Sequence, residues 1–281
     1  MHQQKSSGAR VWFFTILITY IAVMAVLDLS HILREIGLLD TGKIGDIWLY
    51  IGFMEDFVTA GVGITGGIFL FMARIRAEKG GVEGTILLLT GLVALFFGLA
   101  SVMTGVTDAL GDQTYLSVDS PGILTFIAPS IGFGVAAIST IIIVVILIRN
   151  SYWILSRTEL IVTSVVSILI LAGMILFVFL PITSIELSGI MKVVTGVFSL
   201  VCVLAFTGTV FAIIAFGRGR GARYWRSLTV GIMFLSFSGL LSIFTIATDN
   251  SDWMGLPLLG LTVGVALLAR AGYHRWKRLR F

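Results

Sequence analysis

The stretch EDFVTAGVGITGGIF, residues 55–69, decides what kind of fold this chain adopts. It contains three glycines in the pattern Gly61-x-Gly63-x-x-Gly66, which is the spacing of a dinucleotide-binding fingerprint. That fingerprint works only where a strand turns into a helix, so that the helix N-terminus meets a pyrophosphate. Here the glycines fall in the middle of an apolar run, residues 48–73, and no strand pattern precedes them. We therefore predict a membrane helix and no dinucleotide site.

Small residues have a different use in a membrane helix, because they let the backbones of neighbouring helices approach closely. At about 100° per residue, two adjacent faces of the predicted helix each carry small residues below an acidic one. The first face consists of Asp56, Ala60, Gly63 and Gly67, and the second of Glu55, Thr59 and Gly66. We expect both carboxylates to point into the helix bundle and away from lipid.

The composition of the whole chain supports a membrane protein. Of its 281 residues, 57% are hydrophobic and 12% are charged, whereas soluble domains usually contain about 25% charged residues. Apolar runs long enough to cross a hydrocarbon core of about 30 Å recur along the chain. We predict an all-α integral, multi-pass protein of the cell membrane with eight transmembrane helices. The predicted spans are 11–33, 48–73, 84–106, 122–148, 158–181, 188–216, 226–248 and 254–272.

The distribution of basic residues predicts the orientation of these helices. If the N-terminus is cytoplasmic and the spans alternate, all but Arg34, Lys43 and Lys192 of the 19 basic residues fall in cytoplasmic segments. This positive-inside pattern predicts that both termini lie in the cytoplasm. Because the basic residues are divided among short loops and form no single patch, we expect the chain to bind no nucleic acid.

An internal similarity suggests a duplicated architecture. Residues 65–69, TGGIF, resemble residues 207–211, TGTVF, about half a chain later. We read this as two four-helix bundles, residues 1–150 with the candidate site and residues 151–281 as its support. Chance similarity between apolar helices stays open as an alternative, and a repeat alone names no function because many transporters also contain one.

Five ionisable residues near the outer ends of the first three spans form the candidate site. Asp28 and His31 lie in the first span, Glu55 and Asp56 in the second, and Asp108 at the end of the third. Ionisable side chains within membrane spans are costly and indicate functional sites. Two other interpretations stay open: Asp28 and His31 cap a helix end in the headgroup region, and Asp108 is an ordinary residue of the outer loop.

The sequence argues against several kinds of cofactor site in this chain. His31 is the one histidine within a predicted span, so two helices cannot each supply a histidine to a haem. A single cysteine, Cys202, cannot hold an iron–sulfur cluster or a CxxC metal site. We therefore expect no haem, no iron–sulfur cluster and no metal centre in this chain, and no catalytic residue of its own.

One region of the chain resembles a known family. Its features are the glycine-rich helix around Thr65–Gly67, a short basic loop, a second helix ending in Val106–Gly111, and Ser120-Pro121 before the next helix. This succession, over about residues 50–125, resembles the polysulfide-reductase-type membrane-anchor family, also called NrfD-like.

The resemblance implies two four-helix bundles that usually carry no haem. It also implies electron exchange between membrane quinone and an iron–sulfur subunit docked on the outer face. Glu55, Asp56 and Asp108 match the positions that would contact quinone or a proton. Asp28 and His31 join the candidate quinone and proton site on their own chemistry, independently of the resemblance.

Three functions stay open on the sequence. The first is a membrane-anchor, quinone-interacting subunit of a multi-subunit oxidoreductase, in which the polar groups bind quinone oxygens and transfer a proton. The second is a transporter or channel for protons, cations or small solutes, which a continuous polar path on the cytoplasmic side would favour. The third is an accessory structural or sensor subunit, for which Glu55 and Asp56 would face lipid or a partner protein.

Overall fold

A computed structural model describes residues 2–35, 45–77, 81–109, 123–176, 180–183, 189–216, 222–247 and 255–279. These residues are helical almost throughout and contain no strand, as predicted. The helices are α1 (His2–Glu35), α2 (Gly45–Arg76), α3 (Val82–Ala109), α4 (Ile123–Ile154), α5 (Arg157–Met174), the short α6 (Leu180–Thr183), α7 (Gly189–Phe216), α8 (Ala222–Ala247) and α9 (Gly255–Arg278). The predicted outer residue Lys43 and the loop part of the family resemblance, residues 110–121, lie outside the described ranges.

Seven of the described helices, namely α2, α3, α4, α5, α7, α8 and α9, are long and apolar enough to cross a membrane. The multi-pass character predicted from composition is therefore confirmed. In α1 the apolar segment within the described side chains is Val11–Leu27. The eighth span, the sidedness of the termini and the particular membrane stay predictions.

Six helices pack side by side in a closed ring. Each of α2, α3, α4, α7, α8 and α9 contacts the next, and α9 returns to contact α2. The two halves of the chain meet at the α2/α9 seam and at the α4/α7 seam. Outside the ring, α1 packs on α9, α5 packs on α7, and α6 touches α7 and α8. The ring has an end where α2 begins and α3 ends, which we call the acidic end, and an opposite basic end.

The α2–α3 contact uses the small-residue face that the sequence predicts. A β-carbon added at Gly98 of α3 would lie 2.9 Å from the carbonyl oxygen of Ala60, and one added at Gly63 would lie 3.1 Å from that of Ala94. Gly67 approaches the backbone of Gly91 in the same way. These distances leave no room for larger side chains, so the two backbones are in direct contact.

The other glycines of the pattern have different surroundings. Gly66 faces α9, where an added β-carbon would lie 3.0 Å from the Cα of Ala269, and Gly272 of α9 faces the carbonyl oxygen of Gly66 in return. Gly61 has no atom within 4 Å of such a β-carbon. Gly63 and Gly66 thus serve two different neighbouring helices, which explains the glycine spacing without a dinucleotide.

The surface of α5 is arranged for lipid. Its buried positions are Thr163 and Ser167, whereas Ile168 and Leu169 expose 63% and 66% of their surface. A helix with its polar side chains inside and its apolar ones outside is unstable in water and stable in hydrocarbon. Ser156 caps its N-terminus by accepting a hydrogen bond from the Glu159 backbone N–H at 3.3 Å.

Candidate functional site

The five residues predicted for the site lie on three helices at the acidic end of the ring. Asp28 and His31 belong to the last third of α1, Glu55 and Asp56 to the first half of α2, and Asp108 to the last turn of α3. The structure describes the backbone of all five and the side chain of Asp56. The other four side chains lie outside the described part of the structure.

Asp56 lies between α2 and α3. Its β-carbon would be 3.1 Å from a β-carbon added at Gly105 of α3, and the ring of Phe57 would be equally close. The side chain is half-buried. The Asp56 side chain thus leaves α2 beside α3, while the expectation that both carboxylates point into the bundle stays a prediction. Gly105 is the residue that makes this possible, since any side chain there would meet the Asp56 β-carbon.

A hydroxyl pair that the sequence did not indicate lies one turn further into the membrane. Tyr20 of α1 and Thr59 of α2 form a buried hydrogen bond between their hydroxyl groups, with an O–O distance of 3.2 Å. Thr59 follows Asp56 by three residues and so lies on the neighbouring part of the same helix surface. This hydrogen bond attaches α1 to α2 about one turn from Asp56.

Asp28 and His31 follow the buried part of α1 along the sequence. Leu17, Tyr20 and Met24 are buried against α9 and α2, and positions 28 and 31 extend the same spacing along the helix. From the Tyr20–Thr59 contact, position 28 lies within roughly 10 Å of the level of Asp56 along the helix axis. The backbone therefore assembles the predicted positions at one end of one helix cluster.

An ion pair joins α3 and α9 at the basic end of the ring. The guanidinium of Arg275 on α9 donates to the carboxylate of Glu83 on α3 at 2.5 Å, and the two side chains are 23% and 34% exposed. These helices otherwise touch only slightly, so the pair reaches across the ring. Arg275 also lies over the ring of the buried Tyr224, 5.8 Å from its centroid.

A second arginine makes contacts between helices at the basic end. Arg76 at the end of α2 lies 5.2 Å from the ring centroid of Trp276 and donates to the Trp276 carbonyl oxygen at 3.5 Å. Beside it, Phe13 of α1 stacks on Tyr273 at 4.1 Å. The arginines that predicted a cytoplasmic surface thus also make helix-to-helix contacts.

A small cavity lies between α3, α4, α7 and α8. Its volume is about 50 Å³, and its walls are mostly apolar. Two hydroxyl groups in the wall are already used within their own helices: Thr140 donates to the Ala136 carbonyl and Ser236 to the Ile232 carbonyl. Such a cavity is too small for a quinone ring, which must bind elsewhere if it binds this chain.

No family model, curated protein or solved structure matches this chain. The resemblance over residues 50–125 is therefore neither supported nor opposed by a relative. Among the residues whose side chains are described, no three histidine, cysteine, aspartate or glutamate residues come together as a metal site.

Proposed function

We propose that this chain is a membrane-anchor subunit of a multi-subunit oxidoreductase and that it binds quinone or quinol at the acidic end of the ring. The observation that carries the proposal is the position of Asp56. Its side chain begins beside Gly105 at the α2–α3 interface, and the predicted second span places it within the membrane, where an ionisable group needs a functional reason. A carboxylate held there can accept or deliver the proton that accompanies quinone reduction or quinol oxidation.

The neighbouring groups suit the oxygen atoms of a quinone ring. The Tyr20–Thr59 hydroxyl pair lies about one turn from Asp56 on the adjacent face of α2, and positions 28, 31, 55 and 108 add ionisable residues at the same end. Electrons would be exchanged with an iron–sulfur protein docked at the acidic end, which in the predicted topology is the outer face. The present chain would supply the quinone site and the membrane anchor.

We also propose that the ring derives from two four-helix units. Gly66 and its counterpart in the sequence repeat, Gly208, lie at equivalent places in the ring. Gly66 meets Ala269 at the α2/α9 seam, and Gly208 meets Val144 at the α4/α7 seam. The order of helix contacts is likewise the same in each half, from α2 through α4 and from α7 through α9.

Two features count against the other functions. Transport predicts a continuous polar path, whereas the walls of the cavity between α3, α4, α7 and α8 are mostly apolar. A purely structural subunit predicts that the acids face lipid or a partner protein, whereas the Asp56 side chain leaves α2 toward α3. Both observations favour a site inside the bundle that is reached from the acidic end.

The proposal is tested by gentle purification from native membranes, followed by mass spectrometry of co-purifying proteins and extraction of quinone. We expect an iron–sulfur protein and bound quinone. Asp56→Asn should weaken quinone retention about tenfold, because a hydrogen bond to a charged group is replaced by a neutral one. Gly61→Ala, on the same helix but in open space, is the matched control. A lone protein without quinone, or an Asp56→Asn variant that retains quinone fully, would contradict the proposal.

A further inference from the structure

A groove opens on the surface at the basic end, between the start of α3 and the end of α4. Its volume is about 370 Å³, which is several times that of the internal cavity. It is separate from the candidate quinone site, which lies at the opposite end of the ring. The residues that line it are Val82, Thr85, Ile146, Arg149, Asn150 and Trp153.

The polar lining of the groove suits a ligand with anionic oxygen atoms. Arg149 supplies the positive charge, and none of the described lining residues is acidic. Asn150 donates one amide hydrogen to the Ile146 carbonyl at 2.7 Å, which leaves its second amide hydrogen available to a ligand. An exposed arginine beside a hydrogen-bond donor is a common arrangement for a phosphate group.

The apolar surface next to the groove favours a lipid as the source of the anionic group. Ile138, Ile142 and Val145 of α4 are 61%, 42% and 59% exposed, and their spacing places them on one helix face. The same face continues through Arg149 to Trp153, which is 79% exposed. An apolar stripe that ends in a polar groove bordered by an interfacial tryptophan matches an acyl chain that leads to a headgroup.

We propose that this groove binds the headgroup of an anionic phospholipid, with Arg149 contacting the phosphate and the α4 stripe contacting the acyl chain. Positively charged pockets between membrane helices select anionic headgroups in this way. The proposal does not depend on the quinone function, because it uses different helices and the other end of the ring.

The first test measures lipid retention by the full chain. The purified protein is mixed with phosphatidylglycerol or phosphatidylcholine in detergent, and bound lipid is measured by native mass spectrometry. We expect phosphatidylglycerol to be retained preferentially and Arg149→Gln to reduce this retention about fivefold. Arg226→Gln removes an exposed arginine of α8, away from the groove, and should leave retention unchanged. Equal retention of the two lipids, or equal losses in both variants, would overturn the proposal.

The second test locates the lipid and identifies its source. In vesicles containing brominated phosphatidylglycerol, the fluorescence quenching assigned to Trp153 is the difference between the unmodified protein and Trp153→Phe. We expect this component to be strong and to fall about fivefold in Arg149→Gln. Millimolar inorganic phosphate should not displace the lipid. Displacement by phosphate would assign the groove to a soluble anion, and absence of the Trp153 component would place the lipid elsewhere.

Discussion

The two seams of the ring close by different means. At the α2/α9 seam, small residues face each other from both helices, and Gly66 and Gly272 bring backbone against backbone. At the α4/α7 seam, Gly208 faces the branched side chain of Val144, and a cavity lies alongside. Backbone contact fixes the distance between two helices, whereas empty space beside a seam lets neighbouring side chains move. We therefore expect the first seam to be tightly packed throughout. The second should accept added volume on its cavity side, but not at Gly208, because the buried Val144 is β-branched and keeps one rotamer in its helix.

The two long helices outside the ring, α1 and α5, also differ in how they are attached. α1 is attached to the first seam by the Tyr20–Thr59 hydrogen bond. α5, which packs on α7, buries Ser167, whose hydroxyl has no hydrogen-bond partner among the described residues. A hydrogen bond between side chains thus holds α1, whereas the Ser167 hydroxyl of α5 makes none among the described residues.

The largest effect is expected from adding one methyl group at each seam. Gly66→Ala should destabilise the protein by about 2 kcal/mol, because the new methyl meets the Ala269 backbone and must push α9 away. Gly208→Ala should cost about 3 kcal/mol, because the new methyl would overlap Cγ1 of the buried Val144, whose β-branched side chain keeps one rotamer in its helix. The free energy of unfolding in mixed detergent micelles measures both, with Gly61→Ala as the control without a neighbouring atom. A loss in Gly208→Ala no larger than that in Gly61→Ala would show that the second seam accepts added volume at Gly208 as well.

A smaller effect is expected from filling the cavity. Ala205 is buried and lines it, so Ala205→Val should place two methyl groups in empty space and stabilise the protein by about 1 kcal/mol. Ala269→Val makes the same change at the first seam, where Gly66 leaves no space, and should destabilise the protein. The same unfolding measurement compares them. A loss of stability in Ala205→Val would show that the second seam is as tightly packed as the first.

The smallest effect is expected from Tyr20→Phe. It removes the hydroxyl that bonds Thr59, and hydrogen bonds between membrane helices contribute about 0.6 kcal/mol on average. Tyr152→Phe is the control, because Tyr152 is 60% exposed. If the proposed function holds, Tyr20→Phe should also weaken quinone retention, which Tyr152→Phe should not. Unchanged unfolding in both variants would mean that the hydrogen bond does not hold α1 at the seam.

Sequence patterns predicted the helices and the faces of α2 well, because both depend on local spacing. The predicted second span, 48–73, lies within α2, and the two small-residue faces of that helix do contact different neighbours. No local sequence pattern predicted which helices distant in the sequence contact each other. Glu83 and Arg275 are 192 positions apart, and neither residue stands out from the other charges near helix ends.

The candidate site shows the same division. The positions of Asp28, His31, Glu55, Asp56 and Asp108 near helix ends were readable from the apolar runs, and the structure places their backbones at one end of the ring. The sequence did not indicate which residues of other helices lie opposite this part of α2. Gly105 opposite Asp56 and Tyr20 opposite Thr59 depend on how separate helices align along their axes, which no single-helix pattern specifies.

The contacts of α9 have a consequence for biogenesis. This helix contacts α1, α2 and α8, yet it is the last of the described helices to leave the ribosome. Until α9 is inserted, the Gly66 surface of α2 and the Leu17–Met24 surface of α1 have no partner on that side. The nascent chain must therefore keep its first two helices incompletely packed throughout the synthesis of the others. A chain released before α9 would carry an open ring, and membrane quality-control proteases would be expected to remove it.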